Sequence, residues 1–300
     1  MVQATVALRV DVDTRRGLDE GVPRLLELFH RARLAASFFV TMGPDRSGAA
    51  IRRAWRPSFF LKMLRTNPLR LYGLRTLLSG TLLRATLVGA GRPELLRQIA
   101  AEGHEVAPHG FDHVGWQDNV ARLHAAQIRD DVTLAARAFA GVLGRAPAAS
   151  AAPGWRTTPA ALVVQEEQGY RYASDVRGDR PFRPLVEDHV LKTLQIPTTM
   201  PTMDELLGRT RHVMRILEAS LRPGLNVFTL HAEVEGGPLL EPFRGFLDGI
   251  RKAGVRVVRL DDAAESALGD AGLPAAPVAR GRVAGRSGWI AVQGAPARMA

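Results

Sequence analysis

The chain has 300 residues, 46% hydrophobic and 23% charged, which supports a folded core and excludes a disordered or collagen-like polymer. It has no cysteine, which excludes disulfides and thiolate metal sites. Its net charge is +10, but ten basic residues against one acid (Asp45) between Pro44 and Arg92 account for +9 of it, so the basicity belongs to one segment, and a basic nucleic-acid- or membrane-binding protein is the non-enzyme alternative.

In chain order, residues 4–12 place Val6, Leu8 and Val10 on one face, the period-two pattern of a strand. No basic stretch followed by an apolar run precedes it, so no cleaved signal is expected. No apolar run reaches the roughly 18 residues of a spanning helix. Both features lead to an expected cytoplasmic location. Residues 20–32 space Val22, Leu25, Leu26, Leu28 and Phe29 helically, with Pro23 early enough to be tolerated. Residues 35–41 read as a second buried strand ended by Met42-Gly43-Pro44, which completes a βαβ unit. After the basic segment, a helix at 95–101 ends at Gly103, a short strand spans 104–107, and a long helix covers 123–142 and stops at Gly144. Strands at 148–152, 170–174, 191–196, 226–230 and 255–259 then alternate with helices at 159–168, 204–219 and 242–253. This rhythm predicts an α/β barrel or parallel sheet with functional residues at the C-terminal ends of its strands. The expected organisation is a catalytic domain over 1–268, a basic, partly helical insertion at 44–92, and a flexible Gly/Ala/Pro/Arg tail over 269–300.

Chemistry-bearing residues gather at the strand ends. Asp11 and Asp13 are two apart, so both carboxylates leave the first strand on the same side. Two close carboxylates favour a shared cation or a shared proton, although the pair alone also suits a solvated strand end or a helix cap. His109 and His113, in His-Gly-Phe-Asp-His, have the i, i+4 spacing that lets one helical turn present two imidazoles to a metal. One Asp with two His leaves coordination positions open for water, the pattern of a catalytic metal set. His231 closes the strand 226–231, and its company favours a proton-transfer role over that of a core histidine. Arg156 follows the turn Pro153-Gly154, and Asp175, after another strand, is expected as its ion-pair partner. Glu233 and Glu235 are placed to meet an amino or hydroxyl group of a substrate, or solvent.

On these residues the sequence resembles the polysaccharide deacetylases of carbohydrate esterase family four, the NodB-homology family. Asp11-Val12-Asp13, His109 to His113, Pro153 to Arg156 and Leu230-His231 occur in the family's order. Longer stretches, Arg9 to Thr14, Glu20 to Glu27, Gly43 to Asp45, Pro181 to Leu185, Gln195 to Pro197, Pro201 to Glu205 and Thr229 to Gly236, are similar to members that deformylate a 4-formamido-arabinose carried on undecaprenyl phosphate, a step of lipid A modification. The resemblance covers about residues 4–262. It implies a distorted barrel of about seven strands and one divalent metal (zinc, cobalt, manganese or nickel) held by Asp13, His109 and His113. It also implies Asp11 as general base and His231 as general acid. One departure stands out: the family carries its loop arginine before the Pro-Gly element, whereas Arg156 comes after it.

A substrate on a polyprenyl phosphate gives the insertion a purpose. Trp55, Phe59, Phe60, Lys62 and Arg65 mix bulky apolar and basic side chains, the composition of a segment lying on an anionic membrane. The expected partners are the lipid-linked sugar and the inner-membrane surface on its cytoplasmic face, with no nucleic acid. An N-deacetylase of a polymeric or other lipid-linked amino sugar shares the metal set, but acting on an exported polymer calls for an export signal.

Overall fold

The computed structural model describes residues 4–49, 74 and 76–296. Strand β1 (Ala4–Val12) lies at its centre. Alternation sends Val6, Leu8, Val10 and Val12 outward into the core beneath the helices and turns Ala7, Arg9 and Asp11 inward. Along one edge β1 pairs in parallel with β9 (Gly224–His231) from Ala4 to Asp11. Along the other it pairs with β10 (Arg256–Val258) near its start and β2 (Ser37–Val40) near its end. Strand β3 (Glu105–Pro108) continues the sheet beyond β2.

A second parallel sheet, β4 (Ala149–Ser150), β5 (Tyr172–Ala173) and β8 (Leu194–Gln195), fills the remaining arc. Ala151 N donates to Pro108 O at 3.2 Å at one seam, and Met200 N donates to Val227 O at 3.1 Å at the other. The strands β1, β2, β3, β4, β5, β8 and β9 thus close a distorted barrel, as the alternation of elements predicts. Phe39, Ala107, Ala149, Tyr172, Leu194 and Val227 fill its interior, and the Tyr172 hydroxyl crosses it to donate to Glu105 at 2.7 Å.

Helices wrap the outside. Helix α1 (Val22–Ala32) buries Val22, Leu25, Leu26 and Phe29, a single stripe, and ends where Arg33 turns left-handed at φ 54°. Phe29 meets Phe243, on a later helix at Leu240–Lys252, edge-on at 6.2 Å. Each such buried side chain stabilises the fold by roughly 1.5–3 kcal/mol. Between Gly17 and Gly21 the chain forms a π-helical turn pressed so hard against the loop after β9 that a Cβ on Gly21 would lie 2.0 Å from Ala232 O. Glycine there lets the loop carrying Glu233 and Glu235 pack directly beneath the end of β1.

Several expectations need correction. The single helix over 204–219 is two, Met203–Leu206 and Val213–Ala219, because Gly208 between them takes φ +66°. Second, the residues assigned to a flexible tail are largely ordered. A strand at Ala275–Gly281 pairs in parallel with one at Arg183–Val186 and antiparallel with another at Ile290–Gln293, and Ala275, Ala276, Ile290 and Ala291 are buried. Its small side chains lack amphipathic period, and the order comes from strands about ninety residues earlier in the chain. The third concerns the two histidines and is taken up below.

The two ends of the basic insertion are zipped together beside the barrel mouth: Asp45 N donates to Thr86 O and Val88 N to Gly43 O, both at 2.8 Å. The proposed docking residues Trp55, Phe59, Phe60, Lys62 and Arg65 lie outside the described residues. Among the described residues no helix is long and apolar enough to cross a membrane.

Candidate metal centre

Asp13 follows the last residue of β1, His109 follows the last residue of β3, and His113 opens a helix at His113–Asn119. One ligand atom from each lies within 4.8 Å of the others. The Asp13 oxygens are 3.4 Å from His109 Nε2 and 3.3 Å from His113 Nε2, too long for ordinary hydrogen bonds but right for groups that share a cation. Burial opposes the Asp13 charge, yet the two imidazoles outweigh it and hold the carboxyl well below its ordinary value.

The histidine pair is not one helical turn, which corrects the sequence reading. Gly110 takes φ +72°, and Asp112 caps the following helix by accepting from Gly115 N at 2.9 Å, so His109 and His113 converge from the two sides of a tight loop. Asp131, on the long helix at Ala125–Leu143, braces that loop by accepting from Phe111 N and Asp112 N, both at 3.1 Å. On the other side His109 Nδ1 bonds Ala151 O at 2.9 Å, which leaves Nε2 as the atom facing Asp13. A buried Asp13 Oδ1 without a hydrogen-bond donor completes the picture. These donors fit a divalent metal: hard carboxylate and borderline imidazole, each oriented, on one side of an open space.

Asp11 stays apart from this trio. Arg9, fully buried, grips both its oxygens, through Nε at 2.7 Å and Nη2 at 2.8 Å. Arg9 in turn contacts the Ser174 carbonyl and hydroxyl and lies between the rings of Phe39 and Trp155, 5.4 and 5.3 Å from their centroids. A bidentate pair of this kind orients a carboxylate rigidly. Asp11 Oδ2 remains 3.7 Å from His109 Nε2, so it borders the metal space without joining the trio. Arg9 is the functional residue missing from the strand-end candidates, and its signal in the sequence is its register with Asp11 and Asp13, a cation on the inner face of an otherwise apolar strand.

His231 stands directly across the β1–β9 ladder from Asp11. Burial pushes its imidazole down, opposed chiefly by the carboxylates of Asp204 and Asp13. Its Nδ1 is buried without a hydrogen-bond partner. The ring meets Trp155 edge-on at 6.2 Å between centroids.

The supporting residues sort differently from expectation. Asp175 does not take Arg156 as its partner: its carboxylate accepts from Ala152 N at 2.7 Å and Gln195 Nε2 at 3.1 Å, tying the ends of β4 and β8 together. Arg156 instead donates to Gln117 O and stacks 5.3 Å from the Trp289 ring centroid. The arginine that holds Asp11 is therefore Arg9, from the strand, rather than a loop arginine. Glu233 and Glu235 do not face solvent: both are buried, and burial raises both carboxyls, Glu235 to about 8 and Glu233 well above its ordinary range, with Asp13 adding to the Glu233 shift. Glu235 accepts from His231 N at 2.7 Å, and neither oxygen of Glu233 has a hydrogen-bond partner.

The family model of polysaccharide deacetylases matches residues 2–173. The chain is 35% identical over 293 residues to a 4-deoxy-4-formamido-L-arabinose-phosphoundecaprenol deformylase of Shewanella sediminis, covering 96% of this chain and 94% of that one. It is 30% identical to the enzyme of the same name from Wigglesworthia glossinidia brevipalpis, over 92% and 98% of the two chains. Among solved structures, a polysaccharide deacetylase from Mycobacterium smegmatis superposes with a TM-score of 0.60 at 20% identity, covering 88% of this chain and 90% of that one. Strand-end carboxylates, converging histidines, barrel and sequence matches all agree: this chain belongs to the polysaccharide deacetylase family and is a hydrolase of carbon–nitrogen amide bonds.

Proposed function

We propose that this hydrolase removes the formyl group from 4-deoxy-4-formamido-L-arabinose carried on undecaprenyl phosphate, releasing formate and leaving the 4-amino sugar on its lipid for lipid A modification. The observation that carries this reading is the end-to-end match to deformylases of that name, with Asp11, Asp13, His109, His113 and His231 gathered at one barrel mouth. Asp13, His109 and His113 would hold a divalent metal, which when bound polarises a carbonyl and makes water acidic.

The chain's own groups manage the protons. Asp11, oriented by Arg9, accepts a proton from the attacking water. His231, on the neighbouring strand, returns a proton to the departing nitrogen so that it leaves as an amine. Arg156, Asp175 and Glu235 act as supports, through the Gln117 carbonyl, the strand ends and the His231 backbone respectively. Glu233 is a candidate substrate contact. Formate release from the formamido-arabinose lipid is expected to stop with a chelator and to return on adding a divalent metal. Undiminished turnover in chelator, or faster release of acetate from the acetamido analogue, would sink the reading.

The enzyme is proposed to meet its substrate as a peripheral protein on the inner membrane's cytoplasmic face, with the 44–92 insertion as the docking element. Supporting this, Leu74, Leu82, Leu83 and Leu87 stand exposed within that +9 segment, and Leu87 O accepts from Arg15 next to the site. In flotation with anionic liposomes the protein is expected to rise with the vesicles, less so in high salt. A Leu82→Ser/Leu83→Ser/Leu87→Ser variant is expected to remain at the bottom. Equal flotation of variant and wild type removes this docking surface.

A further inference from the structure

The family model stops at residue 173, yet the chain's last strands return to the barrel mouth. There Arg286 reaches behind His231. It donates through Nε to Glu205 at 2.9 Å and through Nη2 to Asp204 at 3.3 Å, and its guanidinium lies 4.1 Å from the centroid of the Trp155 ring. Trp155 meets His231 edge-on, and the Asp204 carboxylate is among the charges that oppose the downward push of burial on the His231 imidazole. Arg177 flanks the same assembly, donating to Glu205 at 2.6 Å and facing Trp155 at 5.4 Å.

The approach of this segment is tightly specified. Gly285, at φ +90°, sits where a Cβ would be 2.4 Å from Glu205 O, so the chain can lay Arg286 against the Met203–Leu206 helix only with glycine there. Downstream, Arg177 N donates to Ala291 O at 3.0 Å and Gln293 N to Arg177 O at 2.8 Å, which fixes the segment from its far end. Asp204 and Glu205 are both buried; Glu205 keeps Arg177 and Asp204 keeps the Thr202 hydroxyl, so removing Arg286 takes one cation from between them and loosens the hold on Asp204.

We infer that Arg286, supplied by the C-terminal strand pair, is a positioning residue of the active site: it holds Asp204 and Trp155 in place behind His231, so that the catalytic unit extends to the segment around 275–293. The inference rests on His231 as the acid of the proposed reaction. It touches neither substrate nor the metal trio, so its loss should act on turnover rather than on binding.

The test is steady-state formate release by the full chain as wild type, Arg286→Ala and Arg286→Lys, with metal content and melting temperature measured in parallel. Arg286→Ala is expected to lower kcat by the roughly 10–100-fold typical of lost outer-shell support, with KM and metal content unchanged, and Arg286→Lys to recover part of the loss. If Arg286→Ala does not fold, Arg286→Gln, which keeps a polar tip without the charge, is read the same way. A lowered melting temperature with unchanged kcat, or a loss of bound metal that accounts for the activity, overturns the inference. A wild type that releases no formate instead rejects the proposed reaction and is told apart by that control.

Discussion

Asp11→Asn is expected to reduce formate release by about 10²–10⁴-fold, the range for loss of a general base, while the bound metal stays in place. The reason lies in the division of labour between the two strand-end carboxylates. Asp13 belongs to the trio with the histidines, whereas both oxygens of Asp11 are turned to Arg9. Asparagine keeps the size of the side chain and one acceptor but cannot take a proton. It also leaves the fully buried Arg9 facing a neutral partner, and an uncompensated buried charge costs about 3–5 kcal/mol. The variant should therefore melt below wild type, and its turnover is to be measured well under that temperature. Retained metal with turnover within a few-fold of wild type would remove Asp11 from the role of base.

The second large effect concerns the metal. His109→Ala is expected to weaken metal affinity by more than the roughly 10–100-fold that outer-shell changes cost, and to bring turnover to background. His109 is almost completely buried, and its Nδ1 is fixed by the Ala151 carbonyl, so its Nε2 has one direction to face, toward Asp13. Among the described residues no neighbour can replace it: His113 already faces the other Asp13 oxygen, and Asp11 is committed to Arg9. Metal analysis of dialysed protein should give a stoichiometry near zero for the variant, with the barrel intact by circular dichroism. A variant that keeps both its metal and its activity would place the metal elsewhere.

The first of these effects arises on β1, and much of that strand is legible in the sequence. Alternation in β1 assigns Val6, Leu8 and Val10 to one face and, by the same count, Arg9, Asp11 and Asp13 to the other. What alternation cannot reveal is which face looks into the barrel or what Arg9 meets there, because Ser174, Phe39 and Trp155 arrive from three distant parts of the chain. The i, i+4 spacing of His109 and His113 points to a shared helical turn that the fold does not contain. Gly110 breaks the helical turn, and the loop braced by Asp131 brings the imidazoles together instead. Glu233 and Glu235 stand out in the sequence by their position after His231. Their burial depends on the contact of Gly21 with Ala232, which joins segments some two hundred residues apart.

Residue order along the chain suffices for the barrel's alternation of strands and helices, the strand-end placement of Asp11, Asp13, His109 and His231, and the local nature of the positive charge. These follow from short-range rules of period, turn residues and charge count. The rest comes from contacts across the fold: Arg9 as the holder of Asp11, Asp175 as a strand tie instead of a partner for Arg156, and the C-terminal residues as ordered strands that bring Arg286 to Asp204 and Glu205. Each of these depends on which distant groups share a buried space, and in that space an ion pair or hydrogen bond is decided by burial and direction, which spacing along the chain does not encode.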